Sequence, residues 1–495
     1  MTETTLPRYR LIQWQDPQVT AVNPLRITGF WLIFGLHLVV ALYYKQVVGL
    51  DIAWREWDGL WQTIPADLLR SDLWQSLWHY HAQPPLFNLF GAFLLKLFYP
   101  HHLEAMHFIY IVLGSLLAGM VYRVLWALTN RARLSFVTAV LLALNPALFL
   151  YEAYPLYDLP TAFLVMLSIF CIAIYRTNPR QWPLVAFVVT LNLLVLTRSF
   201  YHLLILFVSI PFVLFLARGQ RGRLLPVLFL VSLLSVGWYA KNEYRFGFFG
   251  SSSWQGIGLW KIVGVAYSAD EMAALVEQGL VSPAVANLPE FSPPSLFVPY
   301  GFTATTAVPV LAQDDYNNIN ILAISQMYNR SALNVLKQDP GRYALTVILA
   351  YMVYTSPPSR FYHLTENAAR MGVHEQFVSG YLLGQRFIQR YSPLRDETMG
   401  SWLAILLPVN FMIYLLWVFK QNRLSPGRWR VYLHTDAVMV WLVFMIVYTT
   451  AVGITLEYIE NVRFQFLVEQ PIWIFMVVTT YRIIRPQPNH SPSQM

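Results

Sequence analysis

"ITGFWLIFGLHLVVALYYKQVVG", residues 27–49, is the first of a series of apolar runs in this 495-residue chain. A helix that spans a bilayer needs about 20 mostly apolar residues, and this run supplies them. The whole sequence agrees: 56% of it is hydrophobic and only 12% charged, with a mean hydropathy of +0.45, against about 25% charge for a soluble domain. The chain is read as an all-α polytopic membrane protein. Its net charge of +8 does not point to nucleic acid, because lysine and arginine fall in short clusters between apolar runs, where they act as topology signals. Cys171 is the single cysteine, so no intrachain disulfide forms and the redox compartment is unreadable. No cleavable signal peptide is expected. The polar first 25 residues carry Arg8 and Arg10, and the first run is too long for a signal segment.

Ten runs read as crossings: 27–49, 105–128, 134–151, 159–175, 182–197, 200–217, 224–240, 402–420, 435–455 and 464–482. Two others, 84–99 and 341–357, are short. Loop charge classifies them. Short basic loops stay in the cytoplasm, and the clusters are Arg131 with Arg133, Arg176 with Arg180, Arg218 with Arg221 and Arg223, Lys420 with Arg423, Arg428 and Arg430, and Arg482 with Arg485. All fall on one side with the basic N-terminus only if the ten runs cross and the short pair lie in the outer interface. The expected divisions are a cytoplasmic N-terminus (1–26), a transmembrane core (27–240) with a first outer loop (50–104), a large outer segment (241–401), C-terminal transmembrane helices (402–482) and a cytoplasmic tail (483–495). The multi-pass protein is expected in a bacterial inner (plasma) membrane, with its active face outward.

The first loop contains "REWDGLWQTIPADLLRSDLWQSLWHYHAQPPLFNLF", residues 55–90. Leu60, Trp61, Ile64, Leu68 and Leu69 sit near helical spacing, the pattern of a helix lying on the bilayer. Ser71 is placed to cap a second helix holding Leu73, Trp74, Leu77 and Trp78, and Pro84 and Pro85 suit the start of a third. Asp67 and Asp72 are assigned to solvated faces. Asp58, between Trp57 and Gly59, stands out because it lies just beyond the first run in a loop that returns to the bilayer.

Other carboxylates mark helix ends. Glu152 and Asp158 lie in the turn "YEAYPLYDLP", and Glu457, Glu460, Asn461, Arg463 and Glu469 in "LEYIENVRFQFLVEQP". Carboxylates at the ends of apolar helices are costly to bury and often functional, although simple headgroup exposure accounts for them equally well. Lys241 and Arg245 stand on the outer side against the positive-inside preference, so they mark an anion, as do Arg198 and His202. Arg463 either pairs with Glu460 or reaches a phosphate, for which its planar fork is suited. Glycines and serines over 247–258 can form a backbone nest.

Asp58, the "PPL" start at Pro84, Pro85 and Leu86, the acidic turn at Asp158, "KNEYRFG" and "ENVRF" follow one another in the order seen in the integral-membrane glycosyltransferases of the C class. The chain resembles that family, which includes protein O-mannosyltransferases and the lipid A aminoarabinose transferase. The resemblance covers most of residues 27–482. It departs from the family at the first acidic motif, commonly an adjacent acid pair, where Gly59 follows Asp58; Glu56 is the substitute. The resemblance implies a polyprenyl-phosphate-sugar donor, a lipid, glycan or protein acceptor, and inverting transfer at the outer face.

In that reading Asp58 is the catalytic base, with Glu56 as alternative. Glu152 and Asp158 form the second acidic turn, Lys241, Arg245 and Arg463 bind the donor phosphate, and His81 and Glu460 support them. Some relatives of the family use a divalent metal. No dense carboxylate cluster occurs here, so none is favoured as a cofactor. The competing classes are a transporter or lipid flippase, and a non-catalytic polymer-assembly subunit. Transporters carry ionisable or helix-breaking residues near mid-membrane in paired repeats, and no repeat is visible.

Overall fold

The computed structural model describes residues 24–53, 56–60, 62–391, 400–422 and 426–485. Arg8, Arg10, Trp61, Arg423 and most of the expected N- and C-terminal segments therefore lie outside the described residues. Among the described residues every regular element is helical. In chain order they begin with α1 (Pro24–Tyr43), α2 (Ala66–Ser71), α3 (Leu73–His79), α4 (Leu86–Phe98) and α5 (His102–Thr129). Next come α6 (Ala132–Ala143), α7 (Pro146–Glu152), α8 (Asp158–Thr177), α9 (Trp182–Thr197), α10 (Leu204–Leu216) and α11 (Arg221–Phe246). The large loop holds α12 (Gln255–Gly264), α13 (Ala269–Glu277), α14 (Pro283–Asn287), α15 (Pro309–Ala312), α16 (Asn320–Gln338), α17 (Pro340–Tyr354), α18 (Thr365–Met371), α19 (Val373–Glu375) and α20 (Gln385–Tyr391). The chain ends in α21 (Leu403–Asn422), α22 (Pro426–Thr435), α23 (Ala437–Thr455), α24 (Asn461–Phe466) and α25 (Glu469–Ile484).

Six of these stretches are long and apolar enough to cross a membrane: Ile27–Val48, His102–Thr129, Asp158–Thr177, Arg221–Phe246, Leu403–Lys420 and Ala437–Thr455. A seventh forms if α6 and α7 count as one span bent by 51°. The bend has a local cause. Pro146 lacks an N–H and its ring crowds the preceding turn, so the helix stops at Ala143 and restarts under an Asn145 cap, whose side chain accepts the Ala147 N–H at 3.0 Å.

α5 is the central helix, packed against α1, α6 and α8, and α8 in turn packs on α9. The bundle has two chemically distinct ends. At one, Arg131 bonds Tyr481, Arg176 bonds the His434 carbonyl, and Arg482 makes a bidentate pair with Asp436. At the other sit the first loop and the helices of the large loop, with α12 packed on α16 and α17.

The first loop departs from expectation in two places. α2 starts only at Ala66, so Leu60 and Ile64 are buried in a non-helical turn segment ahead of it, closed by the Thr63 N–H on the Leu60 carbonyl, rather than on a helix. Pro65 explains this, because its ring disfavours helical geometry at the preceding residue. Ser71 caps nothing: it is the last residue of α2, its hydroxyl donates back to the Asp67 carbonyl at 2.8 Å, and Asp72 occupies the N-cap position of α3. The loop is instead pinned by Trp57. Its indole N–H donates to the Ile64 carbonyl at 3.0 Å, and its ring lies so close to Gly91 that a Cβ there would fall 2.1 Å from it. Only glycine lets α4 approach this indole.

Candidate functional site

The turn between α23 and α24 carries the densest charge of the loop-rich end. Glu457 and Glu460 both reach Lys261 of α12, at 2.6 Å and 3.6 Å. Glu460 also accepts from the Tyr362 hydroxyl at 3.0 Å and pairs through Oε2 with Arg463 Nη2 at 3.4 Å. Burial alone would raise the Glu460 carboxyl, but Arg463 and Lys261 outweigh it and bring it down to about 2. For Glu457 burial wins, and its carboxyl is raised despite Lys261. Ile459, between them, has a φ of 76°. A β-branched residue in the left-handed region is a genuine outlier, strained by about 1–3 kcal/mol.

Behind this turn lies a second ion pair. Asp158 opens α8, and its Oδ1 accepts from Arg198 Nη1 just past the end of α9; both side chains are buried. The Arg198 guanidinium lies 4.8 Å over the Tyr157 ring and 4.7 Å over Phe464, contacts that favour a desolvated cation. Arg463 extends from α24 toward the same turn, its Nη1 donating to the Tyr154 hydroxyl at 3.4 Å. Three buried polar atoms of this group have no partner: Asp158 Oδ2, Arg198 Nη2 and Arg463 Nε. Buried polar atoms are ordinarily bonded, so such a set marks either a strain reservoir or a place for a missing ligand. Three cations face three carboxyls, so the charges balance, and the spare bonding capacity of the site is two N–H donors and one carboxylate oxygen.

Lys241 and His81 form a neighbouring group. The Lys241 ammonium donates to the Tyr80 carbonyl and lies 3.7 Å over the Trp238 ring. His81 is fully buried with Nδ1 at 2.8 Å from the Ser253 hydroxyl; burial and the Lys241 charge push its imidazole down to about 3. Gln83 accepts from Ser199 at 2.8 Å, tying this segment to the residue after Arg198.

The other candidates lie elsewhere. Glu152 ends α7 and meets His37 of α1, Nε2 to Oε1 at 2.6 Å, in the buried interior. Asp58 is exposed, and its Oδ1 accepts the Ala66 N–H at 2.7 Å, securing the first turn of α2. Glu56 and Arg245 are exposed. The structure thus joins Asp158, Arg463 and Glu460 to Arg198, Lys261 and Glu457. Lys261 had no signal in the sequence, and its role follows only from the packing of α12 on the last turn. For His37 the signal is its place as a lone histidine inside an apolar run. Among the described residues no three His, Cys, Asp or Glu side chains are grouped to hold a metal.

An apolar cavity of about 280 Å³ lies among α17, α21, α23 and α25, lined by Tyr351, Leu407, Phe411, Val447, Thr450 and Ile454 with their neighbours. Ile454 stands shortly before Glu457 in the chain. Asn461 of α24 donates to the Ala350 carbonyl of α17 at 2.6 Å, so α17 borders the cavity and also supports the helix that carries Arg463. None of the family models, curated proteins or solved structures compared with the chain matches it.

Proposed function

We propose that the protein is a glycosyltransferase of the C class, moving a sugar from a polyprenyl-phosphate donor to a lipid, glycan or protein acceptor at the outer face of a bacterial inner membrane. The observation that carries this reading is a buried arginine with an unpartnered N–H, Arg463, on a helix that bonds α17, the same helix that borders the apolar cavity. A lipid-linked donor has the matching chemistry. Its tail is apolar, and its phosphate lies at headgroup depth, where Arg463 and Arg198 can stabilise the departing charge. Of the other cations expected to bind phosphate, Lys241 already has a carbonyl and an indole as partners, and Arg245 is exposed to solvent, where its charge is screened.

In this reading the end of the bundle that bears Arg131, Arg176 and Arg482 is cytoplasmic, as short basic loops are. Ten crossings follow if α9, α10 and α25 cross as well. α10 links both ends: Tyr175 bonds its Leu216 carbonyl, and Tyr448 accepts the His202 N–H just before it. An outer carboxylate takes the acceptor proton. Asp58 and Glu56 of the first loop and Glu457 of the last turn are the candidates. No metal is assigned.

A transporter is the second reading, favoured by one feature. α6 and α7 form a discontinuous helix bearing the buried Glu152, and Asn145 at its break donates to the buried Glu469 at 2.8 Å; broken helices with ionisable residues serve substrate paths in transporters. The experiment that tests the transferase is incubation of the purified protein with a panel of labelled polyprenyl-phosphate sugars. Release of lipid phosphate by the wild type, and its loss in Arg463→Gln, is the expected result. No release from any donor overturns the reading.

A further inference from the structure

We propose that Glu457 is the group that takes the acceptor proton, an assignment that rests on the transferase reading above. Asp58 secures the start of α2 through its bond to the Ala66 amide, and both it and Glu56 are exposed on the first loop rather than set in the turn that leads to Arg463. Glu460 is engaged on both oxygens, with Tyr362 and Lys261 at Oε1 and Arg463 at Oε2, so it is held as an anion and serves as the tether for Arg463. Glu457 takes its bonds on Oε1 alone, from Lys261 at 2.6 Å and from the Tyr458 N–H at 3.0 Å, which leaves Oε2 for an acceptor hydroxyl. Its side chain is 13% exposed. It is open to water at its edge, yet it stands in the turn that leads into α24, whose Arg463 is 7% exposed and carries the unpartnered Nε.

Two carboxylates with one lysine between them thus divide the work. Burial raises Glu457, whereas Arg463 and Lys261 overcome burial at Glu460 and lower it, and titratable neighbours driven apart in this way are a mark of separate acid and base roles. In the step itself the acceptor hydroxyl oxygen forms a bond to the anomeric carbon as the bond from that carbon to the phosphate oxygen breaks. The bonding pair leaves with the lipid phosphate, next to Arg463, and the hydroxyl proton passes to Glu457. Water at the crevice mouth later removes that proton, so charge and atoms balance without a further reactant.

The test uses the full-length protein in lipid nanodiscs with a donor that the wild type turns over, measuring donor binding and turnover against pH. Glu457→Gln should lower turnover by about 10²–10⁴-fold, the usual worth of a positioned base, with donor binding kept and the rise of rate with pH abolished. Glu457→Asp should restore part of the rate together with the pH-dependent rise. Should Glu457→Gln lose binding through misfolding, Glu457→Asp decides, and a flat pH profile there overturns the assignment. Near-normal turnover in Glu457→Gln, with loss in Asp58→Asn or Glu56→Gln, overturns it while the transferase reading stands. A wild type that binds donors but never releases lipid phosphate overturns both.

Discussion

His37→Ala should destabilise the protein by about 3–5 kcal/mol, whereas Glu152→Gln should cost under about 1 kcal/mol. The asymmetry follows from the break between α6 and α7. In an unbroken helix the Ala143 carbonyl would accept the Ala147 N–H, but that N–H is bonded to the Asn145 cap. His37 takes the vacated place, with Nδ1 at 2.7 Å from the Ala143 oxygen. A carbonyl only accepts, so Nδ1 carries a hydrogen. Nε2 then faces Glu152 Oε1 at 2.6 Å, and the two must share a single proton, which keeps the pair neutral overall. Glutamine preserves this arrangement, because its amide N–H can donate to Nε2. Alanine at position 37 instead strands a buried carboxyl and a buried carbonyl, and removing one partner of a buried pair typically costs about 3–5 kcal/mol. Equilibrium unfolding in mixed micelles, read by tryptophan fluorescence, gives both numbers. Equal losses in the two variants, or a loss below about 0.5 kcal/mol in His37→Ala, would refute the shared-proton clamp.

Gly114→Ala should weaken the same clamp by about 1–3 kcal/mol in that assay, since its Cβ would fall 2.0 Å from Glu152 Oε1 and 3.3 Å from His37 Nε2. The fully buried His81 predicts a pH dependence. Its folded-state value of about 3 lies below the ordinary 6.5, so the unfolded chain binds the extra proton first. Stability then falls as pH drops from about 6.5 toward 3, with a slope of up to about 1.4 kcal/mol per pH unit, and His81→Gln should remove that component from a denaturation series. Single cysteines at Gln220, Gln278 and Gln376 in a Cys171→Ala background test the topology. Gln278 and Gln376 should label from outside and Gln220 only after permeabilisation, whereas protection at Gln376 would mean that α17 crosses the membrane.

What was legible in the sequence is what local pattern controls. Runs such as 105–128 and 435–455 became α5 and α23 because twenty apolar residues have few alternatives. Glu460 and Arg463 were readable as partners since three positions separate them on one turn. Pairings across the chain were not. Asp158 and Arg198 were each noticed, but only the packing of α8 on α9 joins them. His37 finds Glu152 across 115 positions, and nothing in either neighbourhood announces the other. Asp58 drew attention for its place beyond the first run, whereas the bond from Ala66 could be found only in three dimensions. The Ser71 cap failed for a physical reason: a serine at the end of one helix can bond backward to its own fourth-preceding carbonyl instead of forward, and it does so here.

In the transferase reading this membrane protein breaks a sugar–phosphate bond, whereas in the transporter reading it moves an intact lipid. One measurement separates the two: a polyprenyl-phosphate sugar labelled in both sugar and lipid, placed in vesicles with the purified protein and an extract of candidate acceptors. The account predicts that the labels part, with free lipid phosphate accumulating and the sugar label transferred to an acceptor. Intact, doubly labelled donor appearing in the opposite leaflet would contradict it.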